Sequence, residues 1–419
     1  MSCLGGESFD DNKKHIYWGK KDVYTLALRA YIWGYPLISS AVMRLNLTQQ
    51  VQSMAVCDVN AGAPLNHVGH GRSLFNPNSK GIGPNNDTLY SLAWLDLSQE
   101  PMVLETPKFG NRYYTFQLAL ADTSTSMSAG QRTNGGQLPP LFIYGPAYHG
   151  TVPTGMLGVP SYTRYCLIAG RFLVNGPEDL EAVHKLQDQI RLRSWSDYLS
   201  GTIGEREVPK QRPLSDPERP VHPNFEFLEM LGNVLRDWVI TNDDERKLIE
   251  SFQSIGLTQE RGFDPDSLSQ ETKAEMIRGL ADGKKTVEEK SLNLGTNVNG
   301  WTINYAGPRF GKDYLLRAAV CKDQRHVTLP EEALYPLARV DASGIPLDGS
   351  QQYRIRMAVN ELPPVDAFWS ITLYNDSGAM VENPINRYSI GDRTPGLIVE
   401  SDGCVDIRLQ HQPPKSDVN

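Results

Sequence analysis

The sequence has no C-x-x-C pair, no apolar run long enough to span a bilayer and no surplus of positive charge, and each absence removes a class of protein. Its five cysteines, Cys3, Cys57, Cys166, Cys321 and Cys404, stand singly and in odd number, so neither a disulfide framework nor a zinc knuckle is expected and all five read as reduced thiols. Arg29, Gly34 and Pro36 interrupt the apolar stretch from Thr25 to Val42, and no membrane partner is expected. With 41 basic against 49 acidic side chains, a net charge of −8 and no basic run interleaved with aromatics, nucleic acid is excluded as a partner. Met1 to Lys21 carries Glu7, Asp10, Asp11 and two lysine pairs where an export peptide needs an apolar core, so the expected compartment is the cytoplasm.

Catalytic signatures are missing as well. No G-x-G-x-x-G follows a strand, and Gly279–Thr286 (GLADGKKT) has three residues between its glycines where a phosphate loop needs four, inside a helical pattern. Thr123–Gly130 (TSTSMSAG) lacks the first glycine of a nucleophile elbow. His67 and His70 form H-x-x-H in a loop without the adjacent carboxylate of a zinc helix. No organic cofactor and no resident metal are expected.

What is there is enough chain for at least two packed units, since 419 residues exceed the size at which a single core stops growing. After a polar leader (1–20), Asp22–Trp33 has apolar residues at helical spacing, ended or kinked by Gly34-Tyr35-Pro36. Short alternating runs between Pro/Gly turns follow, so residues 21–175 read as an opening helix and a β-rich unit. Pro177-Glu178-Asp179 opens a helical insert spanning 176–292, whose segments keep polar outer faces. Strand patterns return over 293–412, read as a jelly-roll-like antiparallel β-sandwich, and a tail (413–419) closes the chain. The fold class is α+β.

Pro84-Asn85-Asn86-Asp87-Thr88-Leu89-Tyr90-Ser91 joins a polar loop to a strand and gathers amides, hydroxyls and a carboxylate in one short segment. The plain reading is an Asx-type turn that caps backbone N–H groups. The functional reading draws on neighbours: Asn66, His70 and Arg72 in the preceding loop, then Tyr114, Gln117 and Arg132, polar groups that can converge on a small molecule.

Ala63–His67, PNNDTLYS, Trp94–Leu97, Asn111–Tyr114 and Gly130–Gly135 resemble domain of unknown function 1254. Phe310–Ala318, Leu347–Gly349, Leu362–Val365, Phe368–Ser370 and Asn383–Ile390 resemble domain of unknown function 1214. The resemblance implies an α+β molecule with a β-rich start, a helical middle and a jelly-roll-like end. Lacking an export peptide, the chain is similar to fungal members of the family, some of them encoded beside natural-product biosynthetic genes, which implies a tailoring enzyme of secondary metabolism. Where relatives carry an Asp and then a Tyr after the Gln of the third strand, this chain has Leu120 and Asp122, so that part of a pocket is expected to be rebuilt.

The expected function is acid–base chemistry on an oxygenated small molecule, by cyclisation, dehydration or isomerisation. His70 is the expected acid or base, Asp87 its orienting partner or second proton carrier, Arg72 and Arg132 the holders of a developing oxyanion, and Tyr90 and Tyr114 hydroxyl donors. Asn66, Asn85, Asn86 and Gln117 complete the binding set, with Asn386, Arg387 and Tyr388 reaching it from the last domain across the junction of the two β units. Two alternatives stand beside it. One is a hydrolase of phosphorylated or glycosylated polyols, using Ca²⁺ or Mg²⁺ on Asp87 and Asn85. The other is a non-catalytic binding protein in which Trp301, Trp369, Tyr353 and Tyr374 stack on a carbohydrate or a partner. A homo-oligomer is compatible with either.

Overall fold

The computed structural model describes residues 22–49, 61–79, 83–202, 207–215, 222–412, 414 and 419. The polar leader, the tail between them, Cys3 and Cys57 lie outside the described residues. The fold is α+β, a two-layer β unit followed by a helical layer and a C-terminal third of short antiparallel strands.

Helix α1 (Val23–Gln49) runs on through Pro36 instead of ending there. Proline removes one N–H from the ladder and crowds the preceding turn. Here Trp33 and Leu37 are buried on either side of Pro36, and Arg317 Nη2 donates to the Trp33 carbonyl (3.1 Å) in the interrupted turn.

The first β unit is a sandwich. Strands β1 (Gly69–His70), β2 (Thr88–Asp96), β4 (Tyr114–Leu120), β5 (Thr125–Gly130) and β8 (Tyr165–Leu173) form an antiparallel sheet in the order β1-β2-β8-β4-β5. Strands β3 (Met102–Glu105), β6 (Leu141–Tyr144), β7 (Leu157–Pro160) and β9 (Arg191–Ser194) form a second sheet in the order β7-β6-β3-β9. Successive side chains on a strand alternate between faces. Leu89, Ala93 and Leu95, with Phe116, Leu118, Ile168 and Phe172, therefore point at the second sheet and pack with Met102, Leu104, Leu141 and Ile143.

The other face of the five-stranded sheet decides where function can sit. At one end it is apolar: Trp94, Ala119, Tyr165, Leu167 and Ala169 lie under Met43 and Leu47 of α1. At the other end it carries Tyr90, Arg171 and Thr115, which are direct cross-strand neighbours.

A short helix α2 (Gln131–Asn134) follows β5, and α3 (Leu180–Gln187) and α4 (Trp195–Ser200) flank β9. The helical insert supplies α5 (Glu226–Leu235), α6 (Asp243–Ser251) and α7 (Gln270–Ser291), with the two-stranded ribbon β10 (Leu257–Thr258) and β11 (Gly262–Phe263). Its core joins Leu228, Leu231, Phe252 and Met276 to Leu26, Trp33 and Leu37, so the opening helix packs with the helical layer as well as on the sheet.

Gly279 and Gly283, the glycines of the GLADGKKT stretch, sit where α7 crosses α1. A Cβ at Gly279 would come within 2.3 Å of the Tyr24 carbonyl oxygen, and one at Gly283 within 2.8 Å of Tyr31 Cβ. Their spacing serves close helix contact, not phosphate.

In the last third, β12 (Thr296–Val298), β13 (Trp301–Ile303) and β14 (Leu337–Ala338) form a three-stranded sheet, and helix α8 (Tyr314–Asp323) intervenes in sequence. Strand β15 (Tyr353–Ala358) pairs with β18 (Cys404–Leu409), and β16 (Ser370–Thr372) with β17 (Ser389–Gly391). The strands are antiparallel as expected, but among the described residues they form separate small ribbons and not the two continuous sheets of a jelly roll. The reason is length. Most of these strands have two or three residues, and a small core around Trp369, Ile390, Val405 and Ile407 holds the two ribbons together.

Candidate functional site

The polar end of the five-stranded sheet is covered by residues 326–335. Gln117 Nε2 donates to the Val327 carbonyl (2.9 Å) and to Thr125 Oγ1 (2.8 Å), while Ser128 and Thr328 share a hydroxyl contact of 2.5 Å. Further along, Glu332 inserts a carboxylate whose side chain is only 1% exposed. Its oxygens accept from Tyr113 Oη (2.8 Å) and Arg132 Nε (2.9 Å). Burial, and next the adjacent Glu332, push the Tyr113 phenol well above its ordinary value, so it stays a proton donor at neutral pH.

Arg171 is the centre of this surface. It is the one charge within the strand YCLIAGRFL, and its Nη1 donates to Tyr335 Oη (2.8 Å) while its guanidinium carbon lies 5.6 Å from the centre of the Tyr90 ring. Arg171 has no carboxylate at ion-pair distance among the described residues, and its buried Nε has no hydrogen-bond partner. A cation held by phenols and left without a counter-charge is a ready-made holder for an anion.

Asp87 lies at the same junction. Arg393 Nη2 pairs with its Oδ1 (2.5 Å) and Ser370 Oγ donates to its Oδ2 (2.6 Å), both from the C-terminal third. Burial raises the Asp87 carboxyl above its ordinary value, opposed by the hydrogen bond from Ser370 and the charge of Arg393. Arg393 also lies over the Phe368 ring (4.7 Å), and Phe368 meets Tyr113 edge-on (5.7 Å). Tyr374 Oη, donating to the Pro84 carbonyl (2.9 Å), closes the same seam.

The other expected residues are placed as follows. His70 stands opposite Ser91 and its Nδ1 meets Ser91 Oγ at 2.7 Å. Cross-strand neighbours share a face, so His70 lies on the opposite face of the sheet from Tyr90 and Arg171. Asp87 precedes Ser91 by four strand positions, roughly 13 Å, so the expected His70–Asp87 pair is not made. Burial, then nearby Arg72, lowers the His70 imidazole to about 4. Arg72 is turned to α3, pairing with Asp188 and donating to the His184 carbonyl (3.2 Å) and Gln187 Oε1 (3.2 Å).

Asn66, Asn85 and Asn86 act on backbone and turn. Asn66 Oδ1 accepts from Asp96 N (2.8 Å), Asn85 Oδ1 from Asp87 N (2.5 Å), and Asn86 Nδ2 donates to the Phe75 carbonyl (2.6 Å). The Asx-turn reading of that segment describes what these amides do. Tyr114 is fully buried against Phe109, and its hydroxyl donates to the Gly135 carbonyl (2.8 Å); its neighbour Tyr113 is the tyrosine of the cluster.

Asn386 and Arg387 are exposed, and their contacts stay within their own loop: Asn383 Oδ1 accepts from Arg387 N (3.1 Å) and Asn386 Oδ1 from Tyr388 Oη (3.2 Å). The C-terminal third does reach Asp87, with Arg393 and Ser370 in place of Asn386, Arg387 and Tyr388. Leu120 lies in the core between the two sheets, and Asp122 pairs with Arg317 (2.9 Å), so neither residue lines the Arg171 surface. Of the aromatics weighed for stacking, Trp369 is buried, and Tyr353 accepts from Asp348 N (2.7 Å).

Sequence reading missed Arg171, Tyr113 as a site residue, Glu332, Tyr335, Ser370 and Arg393. Arg171 did carry a signal: a lone charge in an apolar strand has to be explained by a partner or a ligand. Glu332 carried none. Among the described residues no group of three or more His, Cys, Asp or Glu side chains is arranged to hold a metal ion, and no helix is long and apolar enough to cross a membrane.

A β-sandwich and a C-terminal unit that meet over an arginine–tyrosine surface, with a helical layer alongside, define the class of molecule. The sequence matches the family described as protein of unknown function DUF1254 over residues 65–194 and that described as protein of unknown function DUF1214 over residues 332–419. The chain belongs to the family that combines these two domains. No curated protein matches it. Among solved structures it is similar to the VPA0106 protein of Vibrio parahaemolyticus, at 24% identity and a TM-score of 0.66, over 92% of this chain and 88% of that one. An uncharacterised protein of Burkholderia cenocepacia aligns at 12% identity and a TM-score of 0.42, over 93% of this chain and 80% of that one.

Proposed function

We propose that the chain is a cytoplasmic small-molecule tailoring enzyme whose site is the junction around Arg171. It binds an oxygenated, negatively charged substrate and changes it by acid–base chemistry of the cyclisation, dehydration or isomerisation kind. The observation that carries this reading is the Arg171 guanidinium, ringed by Tyr90 and Tyr335 with no carboxylate at ion-pair distance among the described residues. A carbonyl oxygen gaining negative charge would be met there by a fixed cation and phenolic donors, which act most strongly when water is excluded.

The proton carrier is Asp87, a carboxyl held at the junction by Ser370 and Arg393 and raised above its ordinary value by burial. Tyr113, kept protonated by burial and Glu332, is the donor to oxygen. His70 has no part in this scheme, since it faces away and its imidazole is a weak base.

The test is a thermal-shift screen of carboxylated and hydroxy-keto small molecules, with products followed by mass spectrometry. At least one ligand that stabilises the wild type should stabilise Arg171→Gln markedly less, the folded state of the variant being checked by circular dichroism. Equal stabilisation of both proteins by every ligand would overturn the assignment.

A further inference from the structure

The same sheet face has a second polar concavity at its opposite end, where α1, the end of β2, the start of β8 with the loop before it, α5 and residues 212–214 meet. The cavity there measures about 30 Å³, room for a head group and not for a whole metabolite. Its lining includes Ser40, Trp94 and Tyr165, all more than nine-tenths buried, and Ser40 Oγ, Trp94 Nε1 and Tyr165 Oη have no hydrogen-bond partner. All three can donate, and an indole N–H can do nothing else.

Charge points the same way. Arg44 is 5% exposed, lies 3.7 Å over the Tyr165 ring and donates to Gln211 Oε1, with no carboxylate at ion-pair distance among the described residues. The other arginines are compensated. Arg164, on the Tyr165 ring at 4.8 Å, grips Asp96 with two hydrogen bonds (2.9 and 2.8 Å), and Asp237 receives Arg164 (3.1 Å) and Arg212 (3.6 Å). Three guanidinium groups against two carboxylates leave one positive charge, on Arg44. Buried donors left unbonded are costly, and a buried cation without a partner more so, unless something negative fills the space.

We propose that this cavity is a second binding site, taking the oxyanionic head group of a small molecule, a carboxylate or a phosphate. Arg44 supplies the charge, and the Tyr165 hydroxyl, the Trp94 indole N–H and the Ser40 hydroxyl supply the remaining donors. It is separate from the Arg171 surface, and nothing in the chemistry proposed there requires it.

The experiment is isothermal titration with sodium acetate and with sodium phosphate, at constant ionic strength set by sodium chloride. It is run on wild-type protein and on Arg171→Gln, so that binding at the other site is removed. Saturable one-to-one binding of acetate or of phosphate that persists in Arg171→Gln supports the site, and the stronger of the two names the head group. In the Arg171→Gln background, Arg44→Gln should weaken that binding roughly tenfold or more, as loss of a charged donor does. Tyr165→Phe, which keeps the ring under Arg44, should weaken it severalfold and guards against misfolding of the Arg44 variant. Absence of saturable binding by either anion, or binding unchanged by both substitutions, would overturn the proposal.

Discussion

Arg171 and Tyr90 are direct neighbours on adjacent strands, the guanidinium carbon 5.6 Å from the centre of the phenol ring, and the charge has no carboxylate beside it among the described residues. Replacing Arg171 by Lys keeps the charge but loses the planar fork that binds an oxyanion with two parallel hydrogen bonds. Ligand affinity should fall roughly tenfold in Arg171→Lys and further in Arg171→Gln, measured by titration of any ligand found in the screen. His70→Gln, on the opposite face, should leave that affinity within about twofold.

The Asp87–Arg393 pair ties the sandwich to the C-terminal third, and Arg393→Met leaves the carboxylate buried without its cation. The cost should be roughly 2–4 kcal/mol at neutral pH, read from urea unfolding. Its pH dependence has a definite sign. A carboxyl raised in the folded state, as burial raises Asp87, erodes stability as pH climbs from the unfolded value of about 4 through the folded one. Removing Arg393 raises it further, so the deficit of Arg393→Met should be small near pH 4 and grow toward neutrality. A deficit independent of pH would show that packing of Arg393 on Phe368, not the charge pair, is what was lost.

Two imidazoles act in the other direction. Burial, then Arg72 for His70 and Arg325 for His326, lowers each to about 4. A histidine lowered in the folded state binds protons only after unfolding, so stability is lost as pH falls from about 6.5 toward 4. Each should cost about 1–2 kcal/mol at pH 5 relative to pH 7.5. Urea titrations at the two pH values should show a smaller difference for His326→Phe and for His70→Gln than for the wild type.

Gly279→Ala gains helix propensity of about 1 kcal/mol and should nonetheless destabilise. Its Cβ would lie 2.3 Å from the Tyr24 carbonyl oxygen, a backbone atom that cannot swing away, so α7 must lift from α1. A net loss of about 1–3 kcal/mol in chemical denaturation is expected.

How much of this was legible in the sequence depends on the range of the interaction. The β-rich character of the first unit was, because period-two alternation in β2, β4 and β8 is a local consequence of which face each residue must bury, whereas the pairing of its two sheets into a sandwich was not. The course of α1 beyond Pro36 was not. The buried faces around Trp33 and Leu37 and the bond from Arg317, 284 residues away, are what keep that helix intact, and none of them is visible locally. The candidate site divides in the same way. Tyr90, Asp87 and Arg132 were found because they sit in short polar motifs, whereas Glu332, Tyr335 and Arg393 join them only through tertiary docking. The placing of His70 has a related reason. Its residue type suggests acid–base work, but its strand register puts it on the face opposite Tyr90 and Arg171, and register is a property of the pairing and not of the residue.

The span between Arg171 and Tyr335 has a consequence for how the protein is made. Their hydrogen bond joins residues 164 positions apart, so at roughly 5–20 residues per second the ribosome needs about ten to thirty seconds to deliver the phenol after the guanidinium. Through nearly all of that interval the strands of the five-stranded sheet are already synthesised, and their polar end waits bare, an arginine and its cross-strand tyrosine facing water until the covering segment arrives. A sheet face that carries a charge at the end covered so late is poorly suited to sticking to other nascent chains.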